Sequence, residues 1–195
     1  MSNELEKIKK FMTIKRDTVE ETINDVRSTK FAIFLIAIAM ALAVIQTLLQ
    51  GLVVQDVLEL IWSWMGFVTP SPLRIVLDSI FSNIVFPLLV IILAFYIGNA
   101  IKGEAESLNH VVRAVGYSTP PLIISSAFSF LGLTGNPWVI VVMGFFNVVF
   151  GLWFVIVIVF ALMITFKKGA LTGIGAIAIS AIIAGIATGW VVLIP

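Results

Sequence analysis

The sequence predicts an all-α, polytopic membrane protein with five transmembrane helices and an N-terminal amphipathic helix. Composition is the first reason: of the 195 residues, 60% are hydrophobic and only 12% are charged, and the mean hydropathy is +1.12. A soluble domain carries about 25% charged residues, so the apolar excess has to face lipid. The second reason is that the apolar residues form charge-free runs long enough to cross a bilayer, which takes about 20 residues.

Residues 1–30 form a charged segment of their own, which we expect to be cytoplasmic. They hold seven of the twelve basic residues and six of the eleven acidic residues. Their apolar residues recur at steps of three, four or seven, which is helical spacing: Leu5, Ile8, Met12, Val19, Ile23 and Val26. We expect one or two amphipathic helices that lie on the membrane surface or on the protein's own polar face. The alternative is a solvated charged tail with accidental periodicity.

Residues 31–195 form the membrane domain. Lys102 to Arg113 and Lys167-Lys168 interrupt its apolar runs, and each lysine at a helix centre would cost about 2.5–3.5 kcal/mol. The turn-forming sequence from Gly132 to Pro137 divides the longest run. The predicted spans are 31–54, 79–101, 117–131, 138–166 and 170–193.

Residues 55–78 are ambiguous because Asp56, Glu59, Arg74 and Asp78 punctuate an otherwise apolar stretch. Tryptophan is stable at the headgroup level, and Trp62 and Trp64 lie here. We expect an interfacial helix over about 57–67, followed by a Thr-Pro-Ser-Pro turn. A re-entrant segment over 57–72 is the alternative.

The distribution of basic residues predicts the orientation. With the N-terminus inside, eleven of the twelve basic residues lie on the inner side and only Arg74 lies outside. The positive-inside rule therefore predicts a multi-pass protein of the cell membrane with a cytoplasmic N-terminus and an external C-terminus.

The residue inventory predicts no catalytic, cofactor or metal site. Cysteine is absent, and His110 is the only histidine, so metal sites built from cysteine or paired histidines are excluded. No nucleotide-binding or nucleophile motif is present. No charged residue lies deep within a predicted span, although ion-coupled pumps usually need one. We expect the lipid bilayer and a protein as partners, and no nucleic acid.

The fifth predicted span is rich in small residues. Gly173, Gly185 and Gly189 belong to rows of small residues that recur at every fourth position. Such spacing lets helix backbones approach closely in lipid. The partner of this face is either another span of the same chain or a second copy of the protein.

The stretch from Arg113 to Ser126 joins the charged internal loop to the third span. Pro120 and Pro121 lack backbone N–H groups, so we expect Thr119 and Pro120 to leave the helical region. The alternative is that the two prolines only begin a helix, since proline is tolerated in the first turn. The carbonyls freed at 116–118 then need partners, and nearby hydroxyl groups are candidates. We expect Tyr117 to hold the junction, with its hydroxyl at the interface or on a freed carbonyl.

At Arg113-Ala-Val-Gly-Tyr-Ser-Thr-Pro-Pro121 the sequence resembles the Yip family of multi-pass membrane proteins. Gly116, Tyr117, Ser118 and Pro121 match its Gly-Tyr-(Ser/Ala)-x-x-Pro segment, and Pro120 lies within it. The five-span plan with a cytoplasmic N-terminus matches the family as well. Eukaryotic members carry Asp-Leu-Tyr-Gly-Pro before the first span, and this chain does not, so it resembles a prokaryotic relative.

Two functions are consistent with these features. The resemblance implies a non-enzymatic scaffold or adaptor that binds a protein, or organises the membrane, through its cytoplasmic face. The alternative is a small transporter or channel with a site where prolines break the second and third spans, at Pro87 and at Pro120-Pro121.

Overall fold

The structure is a computed structural model that describes residues 2–53, 71–101, 103–134 and 137–192. Within these ranges every regular element is helical, which confirms the all-α prediction. The chain begins with two short helices, α1 (Ser2–Met12) and α2 (Arg16–Asn24). We call residues 2–27 the N-terminal helix pair. Ile14 forms its corner, in a left-handed backbone conformation with φ 57°.

The long apolar runs fold into membrane-length helices. The first is α3 (Ser28–Val53), and the second consists of α4 (Pro72–Ile80), a π-helical turn (Phe81–Val85) and α5 (Phe86–Ala100). The last two are α8 (Pro137–Thr165) and α9 (Ala170–Val192). By length and composition these four can each cross a membrane.

Two shorter helices separate α5 from α8. The amphipathic α6 (Leu108–Ser118) leads into α7 (Pro120–Ser129), which a 3-10 turn (Phe130–Thr134) extends. The apolar helix Pro120–Gly132 is shorter than the other four. With a rise of about 1.5 Å per residue it covers about 20 Å, which is less than the hydrocarbon core of about 30 Å. The five-segment plan therefore contains four full-length segments and one short segment.

The second membrane helix begins at Pro72, earlier than the predicted boundary at residue 79. Ser71 caps it by accepting a hydrogen bond from Arg74 N at 3.3 Å. Arg74 and Asp78, one turn apart, pair at 3.8 Å, so the helix carries both charges in its first turns. The interfacial or re-entrant prediction for 57–72 falls almost entirely outside the described residues.

Pro87 is accommodated by a change of helix type. The π-helical turn lies directly before it, and Phe86 N–H donates to Phe81 O. A proline ring clashes with the carbonyl four residues earlier, here that of Asn83. A wider turn at this point accommodates the ring without ending the helix.

The five membrane segments form a ring. α3 packs against α4, the π-helical turn and α7; α7 packs against α8, α8 against α9, and α9 against α5. α6 lies across one end of the ring, where it contacts α3, α5 and α8. The N-terminal helix pair covers the same end by packing on α6 and α8.

The connections at this end are tied to each other. Glu104 N donates to Phe166 O at 3.0 Å, and the Phe166 ring is fully buried. Lys167 pairs with Glu106 at 2.8 Å, and Lys168 pairs with Glu104 at 2.7 Å. Hydrogen bonding to these lysines lowers the pKa of both carboxyl groups.

One row of small residues of α9 faces the interior. Gly173, Ala176, Ser180 and Ala184 are buried where α9 lies against α5 and α8. A Cβ at Gly173 would lie 3.0 Å from Val159 O, whereas one at Gly185 would first meet Phe86 Cε2 at 3.9 Å. The structure gives the helical backbone of Gly189 but does not describe its surroundings. The buried face of α9 is thus occupied within one chain.

The surroundings of Gly173 and Gly185 predict different effects on stability when each glycine is replaced by alanine. Gly173→Ala should lower the free energy of unfolding by about 1 kcal/mol, because the α8 backbone blocks the added methyl group. Gly185→Ala should leave stability unchanged or raise it, because ordinary space is available and alanine favours helix. Thermal unfolding in detergent measures both. Equal melting temperatures for the two variants would contradict the proposed packing role of Gly173.

Candidate functional site

The junction between α6 and α7 is a break in hydrogen bonding but not in the helical conformation of the backbone. Thr119 has φ −75° and ψ −18°, within the right-handed helical region, so the prediction that it leaves that region is wrong. Gly116 O accepts hydrogen bonds from Thr119 N at 3.2 Å and from Thr119 Oγ1 at 2.8 Å. These bonds satisfy the carbonyl that Pro120 cannot reach. Pro120 and Pro121 then occupy the first turn of α7, where proline is tolerated.

Gly116 lies at the crossing of α3 and α6. A Cβ at this position would lie 2.6 Å from Ala32 Cα, Cβ and O. Two of these atoms belong to the α3 backbone, which cannot move aside as a flexible side chain could. Glycine is therefore required for the two helices to approach this closely.

Tyr117 is fully buried beneath the N-terminal helix pair. Its ring contacts Phe11 of α1, with centroids 5.5 Å apart, and Phe31 of α3 at 5.9 Å. Its hydroxyl donates to the Glu4 carboxylate. The predicted partner, a freed carbonyl, is instead satisfied by Thr119, and Tyr117 joins α1, α3 and α6 at one point.

Lys7 extends this contact into a polar network. Its Nζ donates to Asp25 Oδ2 at 2.8 Å and to Ser28 Oγ at 3.2 Å, and it lies 3.4 Å from Glu4 Oε1. We call Glu4, Lys7, Asp25, Ser28 and Tyr117 the docking network. It links both helices of the N-terminal pair to the first residue of α3 and to α6.

Lys7 and Asp25 of the docking network stabilise each other's ionised forms. The hydrogen bond from Lys7 lowers the pKa of Asp25, an effect that burial only partly opposes. Burial by itself would lower the pKa of Lys7, but the hydrogen bond to Asp25 and the negative charges of Glu4 and Asp25 outweigh it, and the pKa is raised. Both groups are therefore ionised at neutral pH. The Asp25 contribution to docking would be lost as the pH falls through its depressed pKa.

Arg113 is a buried cation beside the docking network. Only 2% of its surface is exposed, and its Nη1 donates to Thr29 Oγ1 at 3.0 Å. Its Nε has no hydrogen-bond partner among the described residues. Burial lowers the pKa of Arg113, while the charge of Asp25 acts in the opposite direction. A buried charge with an unsatisfied donor is costly for the fold.

The contacts of the two remaining motif residues, Ser118 and Pro121, hold the helices of the junction. Ser118 Oγ donates to Ala114 O at 2.7 Å within α6. Pro121 is buried in the first turn of α7. The structure thus brings the predicted junction residues together, whereas Gly173 and Gly185 lie apart from them on α9.

Sequence reasoning missed most of the residues that surround Tyr117, among them Phe11 and Glu4. Phe11 is fully buried although it was not counted in the apolar stripe. It follows Ile8 by three positions, so helical spacing could have found it. Glu4 had no such signal, because its partner Tyr117 lies more than a hundred residues away.

A cavity of about 350 Å³ lies inside the ring of membrane segments. Six of its lining residues are Ile36, Pro87, Ile91, Thr119, Ser126 and Leu162. It therefore borders both proline-containing positions, Pro87 and the Thr119-Pro120 junction. α6 reaches it through Val115 and through Thr119, the residue that caps its C-terminal end.

These features define a polytopic α-helical membrane protein with a docked amphipathic N-terminus. The family model described as the Yip1 domain matches residues 9–193. Because this match covers most of the chain, the chain belongs to the Yip family, as its Gly-Tyr-Ser segment predicted. No curated protein and no solved structure matches the chain.

Removing the Tyr117 hydroxyl should weaken docking of the helix pair. Tyr117→Phe and Glu4→Gln should each lower the free energy of unfolding by about 1 kcal/mol, since each leaves a poorly satisfied partner. The double variant should cost less than the sum of the two, because both remove the same bond. Tyr117→Ala should cost about 3 kcal/mol through lost packing.

Thermal unfolding of the detergent-solubilised protein measures these differences. Tyr96→Phe is the matched control, because Tyr96 is 64% exposed on α5. Strict additivity of Tyr117→Phe and Glu4→Gln would show that the two side chains are not coupled. A parental melting temperature for Tyr117→Ala would remove Tyr117 from the junction altogether.

Proposed function

We propose that this protein is a non-enzymatic scaffold of the Yip family that binds a protein partner through its N-terminal helix pair. The observation that carries the proposal is that this pair is docked. Its inner face is held by Phe11, Val19 and Ile23, which are buried. Its outer face therefore has a defined shape and carries many exposed charged side chains: Glu6, Lys9, Lys10, Lys15, Arg16, Asp17, Glu20, Glu21 and Arg27.

Two apolar side chains accompany these charges. Leu5 is 62% exposed and Val26 is 77% exposed on the helix pair, outside the apolar helices of membrane length. A partner that covers them would remove apolar surface from water, which is the usual driving force of association. The charged side chains around them would set the partner's orientation.

The polar residues of the site support a binding role more than a catalytic one. The side chains of the docking network are engaged with one another. Within the described ranges, no group of three or more acidic or histidine side chains could hold a metal ion. The motif residues Gly116, Tyr117, Ser118, Pro120 and Pro121 then act by positioning the helix pair.

The proposed orientation places the helix pair in the cytoplasm. Arg16, Lys167 and Lys168 border one cleft of about 290 Å³ at the same end of the ring, although they are distant in sequence. A common basic end is what the positive-inside rule requires of the inner side. The C-terminal end of α9 would then face outward, at the cell membrane.

Single cysteines in this cysteine-free chain test the orientation. Cysteines replacing Ser107 and Gly169 should react with an impermeant maleimide only from the cytoplasmic side of inverted vesicles. A cysteine replacing the exposed Ser71 should react only in intact cells. Labelling of Gly169→Cys in intact cells would contradict the proposed orientation.

Photo-crosslinking in native membranes tests the scaffold proposal. A photoreactive amino acid at Leu5 or Val26 should give a discrete protein product, and one at Leu152 of α8, which is 60% exposed, should not. Adding Tyr117→Ala should abolish the product, because the helix pair loses its buried anchor. Identical products at Leu152, or no product at either helix-pair position, would overturn the scaffold role.

The alternative function, a small transporter or channel, has one observation in its favour. The cavity borders Pro87 of the second segment and Thr119 of the junction, as a midplane site between broken helices would. Among the residues that the structure describes, no charged side chain lines it, which disfavours the passage of ions. Solute flux into vesicles that contain the purified protein would support transport, and its absence would leave the scaffold.

A further inference from the structure

We propose that the cavity inside the ring binds a hydrocarbon chain of a membrane phospholipid. The cavity is a different site from the N-terminal helix pair, so this proposal does not depend on the scaffold role. It follows from the chemistry of the walls, the volume and the surroundings of the cavity.

The walls are unsuited to water. Of the described residues that line the cavity, three have uncharged polar side chains, Asn83, Thr119 and Ser126, and the others are apolar. The Asn83 amide already donates to Thr47 Oγ1 at 3.1 Å and to Ser79 O at 2.9 Å. The Thr119 hydroxyl already donates to Gly116 O. A buried water needs two to four polar partners, and these walls offer few that are free.

The volume is that of a ligand site. At about 350 Å³ the cavity falls in the range of about 300–1,000 Å³ that binding sites occupy. Apolar cavities of about 150 Å³ stay dry and take up small hydrocarbons in other proteins. An empty cavity of this size would also deprive the lining side chains of contacts, so an apolar occupant stabilises the ring.

The surroundings favour an acyl chain over other apolar molecules. Residues of all five membrane segments line the cavity, and the exposed faces of these segments are rich in large apolar side chains, so the medium around the ring is lipid. Acyl chains are the dominant apolar molecules in that medium. The wall residue Leu162 is fully buried, so a lipid reagent reaches it only by entering the cavity.

A phospholipid with a photoreactive diazirine in its acyl chain tests the proposal. The full-length protein is reconstituted in vesicles that contain a small fraction of this phosphatidylcholine, irradiated, and mapped by peptide mass spectrometry. Adducts with the mass of the intact phospholipid are expected on Leu162 and on the lipid-facing Leu152. Adducts confined to Leu152 would overturn the proposal.

Two alanines of α3 provide a cavity-filling variant and a matched control. Ala43 lines the cavity, whereas Ala41 on the same helix is exposed. Ala43→Phe should reduce the adduct on Leu162 at least fivefold without changing the adduct on Leu152, and Ala41→Phe should change neither. An unchanged Leu162 adduct in folded Ala43→Phe would overturn the proposal.

A smaller substitution covers the case in which Ala43→Phe does not fold. Ala39 lines the cavity and Ala37 is exposed, so Ala39→Leu and Ala37→Leu form a second pair. A diazirine fatty acid in the same assay distinguishes the source of the chain. Labelling of Leu162 by the free acid but not by the phospholipid would overturn the assignment to a membrane phospholipid.

Discussion

The arrangement at the polar end of the molecule depends on the close contact between Ala32 of α3 and Gly116 of α6. The absence of a side chain at Gly116 lets the two helices meet, and the next residue, Tyr117, is thereby placed against Phe31 of α3. The Tyr117 hydroxyl then reaches Glu4 of α1. Because α6 lies across the end of the ring, this contact also fixes where the N-terminal helix pair sits.

Apolar burial and polar contacts make different contributions to the docking of the helix pair. Burial of Phe11, Val19 and Ile23 supplies the driving force, at roughly 1.5–3 kcal/mol for each large side chain. The docking network adds little net energy per hydrogen bond, but a misplaced helix pair would leave its charged groups buried without partners. The network therefore selects one position for the pair. Arg113, with its unsatisfied Nε, opposes stability at the same place.

The sequence predicted features that depend on local composition and missed those that depend on distant contacts. Charge-free runs give the membrane helices, since an uncompensated charge in lipid is costly. The same rule predicted too late a start for the second membrane helix. Arg74 and Asp78 lie within this helix, where they form an ion pair. Thr119 stays helical because its own hydroxyl donates to the carbonyl of Gly116. An expectation based on the prolines alone does not include this hydrogen bond. The bond between Glu4 and Tyr117 joins residues 113 positions apart and had no local signal.

α6 connects the two candidate sites because its opposite faces belong to different environments. Arg113 and Tyr117, one turn apart, face the helix pair and the start of α3. Val115 and Thr119, also one turn apart, line the cavity on the other side of the helix. A rigid helix that shifts at one face must shift at the other, so the occupancy of the cavity and the position of the helix pair share one structural element. Coupling between them then requires only that α6 have two positions with different affinities for the cavity occupant.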